Sequence, residues 1–219
     1  MRDSPVVKVI AGLVIAGAVG TMVFCSTGWP PRVEARTPEA VGWVMAQQTL
    51  GLVKPGGQIT VLARDTSSFK NPASEIQLAS FKKAMRAARV EITSVRSLQV
   101  DPLRPVEVPP GDFLDLIRAA PAGSVLVSFM GPPLLSESQR NQLREIKPSM
   151  VAFCSGNLPG RMDLRALFEQ GLLHAAVVSR RHRAAASSRP ADRQAWFDQS
   201  FLAITAANIA ELERDGKAP

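Results

Sequence analysis

From residue 38 onward, short β-rich apolar runs alternate with helical stretches, and this order constrains the fold more than any motif does. Residues 59–63 read Ile-Thr-Val-Leu-Ala; further strands fall at 90–98, 124–130, 150–154 and 173–178. The run at 124–130 is almost continuously apolar, as expected of a strand covered on both faces. Between the strands, residues 73–88 place Leu78, Phe81, Met85 and Ala88 on one side and Lys83 and Arg86 on the other, the spacing of an amphipathic helix. A proline-rich crossing at 102–110 leads to a helix over 111–119. Further helices follow at 136–146, capped by Ser136, and at 163–170. Strand–helix alternation calls for parallel pairing with right-handed crossovers. The expected fold is therefore α/β: a single doubly wound parallel sheet of five or six strands, in the order 2-1-3-4-5, with helices on both faces.

Both ends of this pattern need their own reading. Residues 38–53 have helical spacing, with Val41, Val44, Met45 and Leu52 on one side and Glu39 and Ala46 on the other. Lys54-Pro55-Gly56-Gly57 stops that helix. After the fifth strand, 180–190 is a basic loop, 191–200 is helical, and Phe201 to Thr205 reads as a sixth strand.

Ahead of the domain lies an uncharged apolar span, residues 9–24, bracketed by Lys8 and by Trp29-Pro30-Pro31. Counted through Trp29 it reaches about 31 Å as a helix, enough to cross a bilayer core. Trp29 suits the headgroup level, and the prolines end the helix. The reading that follows is a tail at 1–8, a transmembrane anchor at 9–29, a linker at 30–37 and a Rossmann-like α/β domain at 38–219. A cleavable signal peptide is the alternative, with Arg2 and Lys8 as its basic region. Lipidation at Cys25 is disfavoured by bulky Phe24. Gly12, Ala16 and Gly20 share one helix face, the small-residue spacing that lets helices pack closely in lipid, and so point to a membrane protein partner. The short tail favours an internal N-terminus and a single-pass protein, with its domain on the periplasmic or extracellular side.

The chain is 46% hydrophobic and 21% charged, a globular balance, with a net charge of +7. Arg180, Arg181, Arg183, Arg189 and Arg193 hold much of the excess. The tract reads either as a solvated loop or as a contact surface, in which Arg180, Arg181 and Arg183 are candidates for contact with anionic lipid or an acidic partner. The tract has no interleaved aromatics, so nucleic acid is not an expected partner. Cys25 and Cys154 are too differently placed to pair, and no disulfide framework is implied.

In a doubly wound sheet, ligands bind beyond the carboxyl ends of the strands, near the reversal between strands one and three. Arg64, Asp65, Thr66, Ser67 and Ser68 follow the first strand, Asp101 the second and Gly131 the third. These residues are the candidate ligand-binding set for a small hydroxylated or anionic molecule. The same residue types also build ordinary strand-to-helix turns. No phosphate loop, dinucleotide fingerprint or nucleophile elbow is present. His174, His182 and Cys154 make no metal cluster. His174 reads as a boundary residue of the fifth strand and Cys154 as core. No cofactor, metal or catalytic residue is expected.

Ile59-Thr60-Val61-Leu62 running into a polar turn, then Phe81-Lys82-Lys83-Ala84 on the first crossover helix, resembles one lobe of the type I periplasmic binding proteins. Phe113-Leu114-Asp115-Leu116-Ile117 leading into Val125-Leu126-Val127-Ser128 is similar to that family's second crossover. The likeness covers about residues 57–180 and implies a sugar- or amino-acid-like ligand at the polar strand tips. Those receptors enclose their ligand between two lobes, whereas residues 38–219 suffice for one. The expected function is accordingly a membrane-anchored, non-catalytic binding or accessory subunit of a larger assembly. The alternative is a small-ligand sensor or solute-binding lobe.

Overall fold

The computed structural model describes residues 14–15, 17–18, 20–22, 34–67, 70–99, 108, 110–132, 135–143, 148–156, 162–180 and 190–217. The chain divides into two compact units, Met1–Glu34 and Ala35–Pro219. In the first unit, the described residues between 14 and 22 are helical, and Val14, Ile15 and Met22 are exposed. Among the described residues, no helix is long and apolar enough to cross a membrane. Most of the expected anchor at 9–29, including Gly12 and Ala16, lies outside them, as do the tail at 1–8 and the first half of the linker, 30–33; the last two linker residues, Arg36 and Thr37, already belong to the first helix of the domain.

The second unit opens with α1 (Arg36–Leu52), followed by β1 (Ile59–Arg64), α2 (Pro72–Ala87) and β2 (Ser94–Leu98). Next come α3 (Pro110–Ala119), β3 (Val125–Ser128), α4 (Glu137–Gln142), β4 (Ser149–Cys154) and α5 (Leu164–Glu169). The chain closes with β5 (Ala175–Ser179), α6 (Arg193–Asp198), β6 (Phe201–Thr205) and α7 (Ala210–Lys217). One six-stranded sheet has the order β2-β1-β3-β4-β5-β6. β1 to β5 pair in parallel, as the alternation predicts, and β6 joins antiparallel.

The reversed last strand is a departure from an all-parallel sheet, and its cause is the connection. The short α6 carries the chain back to the edge where β5 ended, so Phe201 starts opposite Ser179. The Arg180 N–H donates to the Ser200 carbonyl at 2.8 Å and closes the return. A parallel strand would need a crossover to the other edge.

The period-two side-chain alternation of the strands builds two cores. Ile59, Val61, Val125, Val127, Val151, Phe153, Ala175 and Val177 pack beneath α1, α2 and α6. Leu62, Leu126, Met150, Ala152, Cys154, Ala176 and Val178 pack beneath α3 and α5, joined by Leu202 and Ile204 of β6. Helices thus cover both faces.

Helix α1 is buried over more of its circumference than its stripe implies. Ala46, expected on the outer side, is fully buried, because α1 is flanked by both α2 and α6. The approach to α2 is closest at Gly42, where an added Cβ would sit 2.1 Å from the Gln77 carbonyl oxygen. Ser80 of α2 donates its hydroxyl to the Glu39 carbonyl at 2.7 Å in the same contact.

Candidate functional site

The sheet order reverses between β1 and β3, and the carboxyl ends of these two strands lie beside the first turns of α2. A shallow cleft of about 330 Å³, open solvent included, forms there. Ala63, Arg64 and Thr66 from the end of β1 line it, with Ser74, Glu75 and Leu78 of α2 and Phe129 after β3. Asn71 caps α2 by accepting the Ser74 N–H at 3.2 Å, and Pro72 occupies the first helical turn. This cap sets where Ser74 and Glu75 face the cleft. Phe129 is fixed by its N–H to the Leu62 carbonyl at 2.9 Å and by an edge-on ring contact with Phe81, 5.7 Å between centroids.

Asp65 has a turn-forming role. Its N–H extends the ladder to the Leu98 carbonyl at 2.8 Å, and its Oδ1 accepts the Ser67 N–H at 2.8 Å. That backbone N–H, and then the Ser67 hydroxyl, hold the carboxyl below its ordinary pKa. Arg64 and Thr66 thus line the cleft while Asp65 and Ser67 shape the turn that carries Thr66. Ser68 and Asp101 lie outside the described residues.

Gly131 sits in the turn after β3 with φ +86°, a conformation favouring glycine. Its carbonyl accepts the Ser128 hydroxyl, and Ser128 Oγ in turn accepts the Met130 N–H at 3.2 Å. The buried Ser128 is therefore committed to the turn. Arg180, at the end of β5, directs its Nε to the Asp198 carbonyl at 2.7 Å. Arg181 and Arg183, with the rest of the basic loop to residue 189, lie outside the described residues.

Among the described residues, Cys154 and His174 have structural duties. Cys154 is buried at the end of β4, and desolvation pushes its thiol up to about 12. His174, half-buried just ahead of β5, accepts the Met150 N–H on Nδ1 at 3.2 Å, the satisfied boundary role read from the sequence. Among the described residues, no group of three or more His, Cys, Asp or Glu side chains could hold a metal ion.

Sequence reasoning reached Arg64 and Thr66 but missed Ser74, Glu75, Leu78 and Phe129. Asn71-Pro72 was the available signal for the α2 side, since it fixes the helix start two residues before Ser74. Nothing local pointed to Phe129, which reaches the cleft only through the pairing of β3 with β1.

No family model matches the chain, and no curated protein matches it. Solved structures do. A carbohydrate-transporter solute-binding protein from Agrobacterium radiobacter, in complex with D-arabinose, matches at 11% identity and a TM-score of 0.52, over 81% of this chain and 62% of that one. A structure described as a LacI transcriptional regulator from Bacteroides fragilis matches at 11% identity and a TM-score of 0.52, over 80% and 61%. In fold, the chain resembles one lobe of the type I periplasmic binding proteins. At this identity the likeness is one of fold, and the chain spans about three fifths of the length of these two structures.

Proposed function

We propose that this chain is a non-catalytic ligand-binding lobe that takes a small polar molecule, sugar-like or amino-acid-like, at the carboxyl edge of its sheet. The observation that carries this reading is the cleft at the β1–β3 reversal, where doubly wound folds place their ligands. Thr66 and Ser74 supply hydroxyls there, Glu75 a carboxylate, and Leu78 and Phe129 an apolar wall. The fold likeness to a solute-binding protein holding D-arabinose supports the choice of ligand class. The structural duties of Ser128, Cys154 and His174 support the absence of catalysis. Thermal-shift screening with D-arabinose, other sugars, amino acids and nucleotides tests it. A hit should raise the melting temperature, and Thr66→Ala together with Glu75→Gln should abolish the rise. A screen without hits, or a hit indifferent to both substitutions, defeats the reading.

The second reading adds a tether: residues 9–29 anchor the lobe in a bilayer, outside the cytoplasm, as an accessory subunit of a larger membrane assembly. Its supporting observation is the exposure of Val14, Ile15 and Met22, at 65%, 63% and 77%, on helical residues of the apolar span. A Cβ added at Gly20 would meet nothing within 4 Å, which leaves room there for a neighbouring helix. Purification of the full chain in mild detergent should bring a stoichiometric membrane partner, and Gly12→Leu with Ala16→Leu should lose it. Retention of the partner by that double variant removes the small-residue face from the proposal.

A further inference from the structure

We propose that the outer edge of β2 is a docking site for an extended acidic segment of a partner protein, which joins the sheet as an added strand. The proposal is independent of the cleft and begins with the unequal treatment of the two ends of the sheet. A sheet edge presents unpaired peptide groups that invite another strand. At β6 this edge is closed. The Arg180 N–H takes the Ser200 carbonyl, so by alternation Phe201, Ala203 and Thr205 turn their peptide groups away from β5. The Asn208 side chain occupies the place of a next strand. Its Oδ1 accepts the Thr205 N–H at 2.6 Å, and its Nδ2 donates to the Ala203 carbonyl at 2.9 Å.

Among the described residues, β2 carries no such plug. The Thr93 N–H donates to the Ile59 carbonyl, so alternation turns the peptide groups of Ser94 and Arg96 outward. Val95, Arg96 and Ser97 are exposed. Val95, at 37%, is the only exposed large apolar side chain among the described residues of this domain. It pairs with Val61 and so stands on the face that α2 covers. The surroundings are basic. Between residues 82 and 96 the chain carries five cations, Lys82, Lys83, Arg86, Arg89 and Arg96, against the single acid Glu91. Ser80 meets α1, and the helical turn puts Lys82 on the opposite flank of α2, toward β2. Arg86 folds its Nε back to the Lys82 carbonyl at 3.3 Å. Arg89 stands in the connection into β2, and Arg96 on the strand itself.

This combination selects the occupant. A second copy added here would set one basic rim against another, and like charges on paired strands repel. An acidic segment of alternating pattern instead places apolar side chains on the face of Val95 and carboxylates on the face of Arg96. Its peptide groups meet those of Ser94 and Arg96, while the cations of α2 draw its net charge.

The probe is a fluorescein-labelled peptide of alternating valine and glutamate, titrated with the full chain in nonionic detergent and read by anisotropy. It should bind, and bind more weakly as sodium chloride rises. Arg96→Glu should cost about tenfold in its affinity and shift the preference to the matching valine–lysine peptide, a gain that only a folded variant can show. The valine–glutamate peptide N-methylated at every residue keeps its charge but has no N–H to give, and should not bind. Equal binding by the methylated peptide would mark a surface for any polyanion and overturn the proposal, as would no binding by the unmodified one. Thr66→Ala with Glu75→Gln should leave peptide binding unchanged; its loss would move the peptide to the cleft and overturn the proposal too. Arg96→Pro removes an outward N–H that the β1 ladder does not use. A dimer of the full chain in sedimentation, dissolved by Arg96→Pro, would assign the edge to a second copy instead.

Discussion

Arg36 and Trp196 are 160 positions apart in sequence, yet the guanidinium of one lies 5.5 Å from the ring centroid of the other. The pairing is reciprocal, since Arg193 lies 5.6 Å from the ring of Trp43. Helices α1 and α6 run past each other in opposite senses, each lending an arginine to the other's tryptophan. These contacts fasten the last crossover to the first helix on the outside of a core that Phe197 fills from within.

A double-mutant cycle should therefore detect coupling across that pair. Arg36→Ala and Trp196→Ala, alone and combined, are compared by urea denaturation of the full chain. The coupling expected for partly exposed cation–π partners is about 0.5–1 kcal/mol. Additive effects would show that the contact contributes packing alone.

Gly42 sets the distance between α1 and α2. Its hypothetical Cβ meets the Gln77 carbonyl oxygen at 2.1 Å and the Gln77 carbonyl carbon at 2.9 Å, both backbone atoms that cannot swing aside. Gly42→Ala should cost about 1–3 kcal/mol through forced separation of the helices. Gly51, in the same helix, has nothing within 4 Å of its Cβ. Gly51→Ala should instead stabilise by about 0.5–1 kcal/mol, the ordinary helix-propensity gain. Opposite shifts in the denaturation midpoint check the pair; equal shifts would refute the close-approach account.

These two glycines mark the border between what the chain states locally and what only assembly decides. The strands at Ile59, Val125 and Ala175 were legible because buried parallel strands need apolar residues facing both ways. The strand at 201–205 was legible for its β-branched and aromatic content. Its antiparallel direction was not, because that depends on how α6 returns the chain beside Ser179. A single apolar stripe puts Ala46 on the outer side of α1, whereas α2 and α6 both cover the helix. At the cleft, Arg64 and Thr66 follow from the strand-end rule. Glu75 and Phe129 arrive from elements brought together by the sheet order, which no local spacing encodes.

Arg89 ends α2 with φ +58°, in the left-handed region where a side chain is strained. The strain closes the helix: the Val90 N–H donates to the Met85 carbonyl at 3.0 Å, and the Arg89 N–H to the Arg86 carbonyl at 3.0 Å. Arg89→Gly relieves it. The expected gain is about 0.5–1 kcal/mol, net of the greater chain entropy that glycine loses on folding. A fall in the midpoint on thermal or urea unfolding would contradict the reading.

His174 makes stability depend on pH with a definite sign. Its Nδ1 accepts the Met150 N–H at 3.2 Å, so the ring is held neutral with its proton on Nε2. Burial lowers its pKa below the ordinary value of 6.5. The unfolded chain therefore binds a proton at a higher pH than the folded one does. The stabilisation is fully present above pH 6.5, declines as pH falls below that value, and is lost as pH passes through the lowered folded pKa. Protonation also sets an N–H against the Met150 N–H and breaks that bond. His174→Leu should flatten the pH dependence in that window. It should also lower stability at neutral pH by about 1–3 kcal/mol, the cost of leaving the Met150 N–H without an acceptor. Urea midpoints from pH 7.5 down to about 5, a range that brackets ordinary histidine titration, measure both effects. A wild-type curve as flat as that of the variant would remove the histidine from the account.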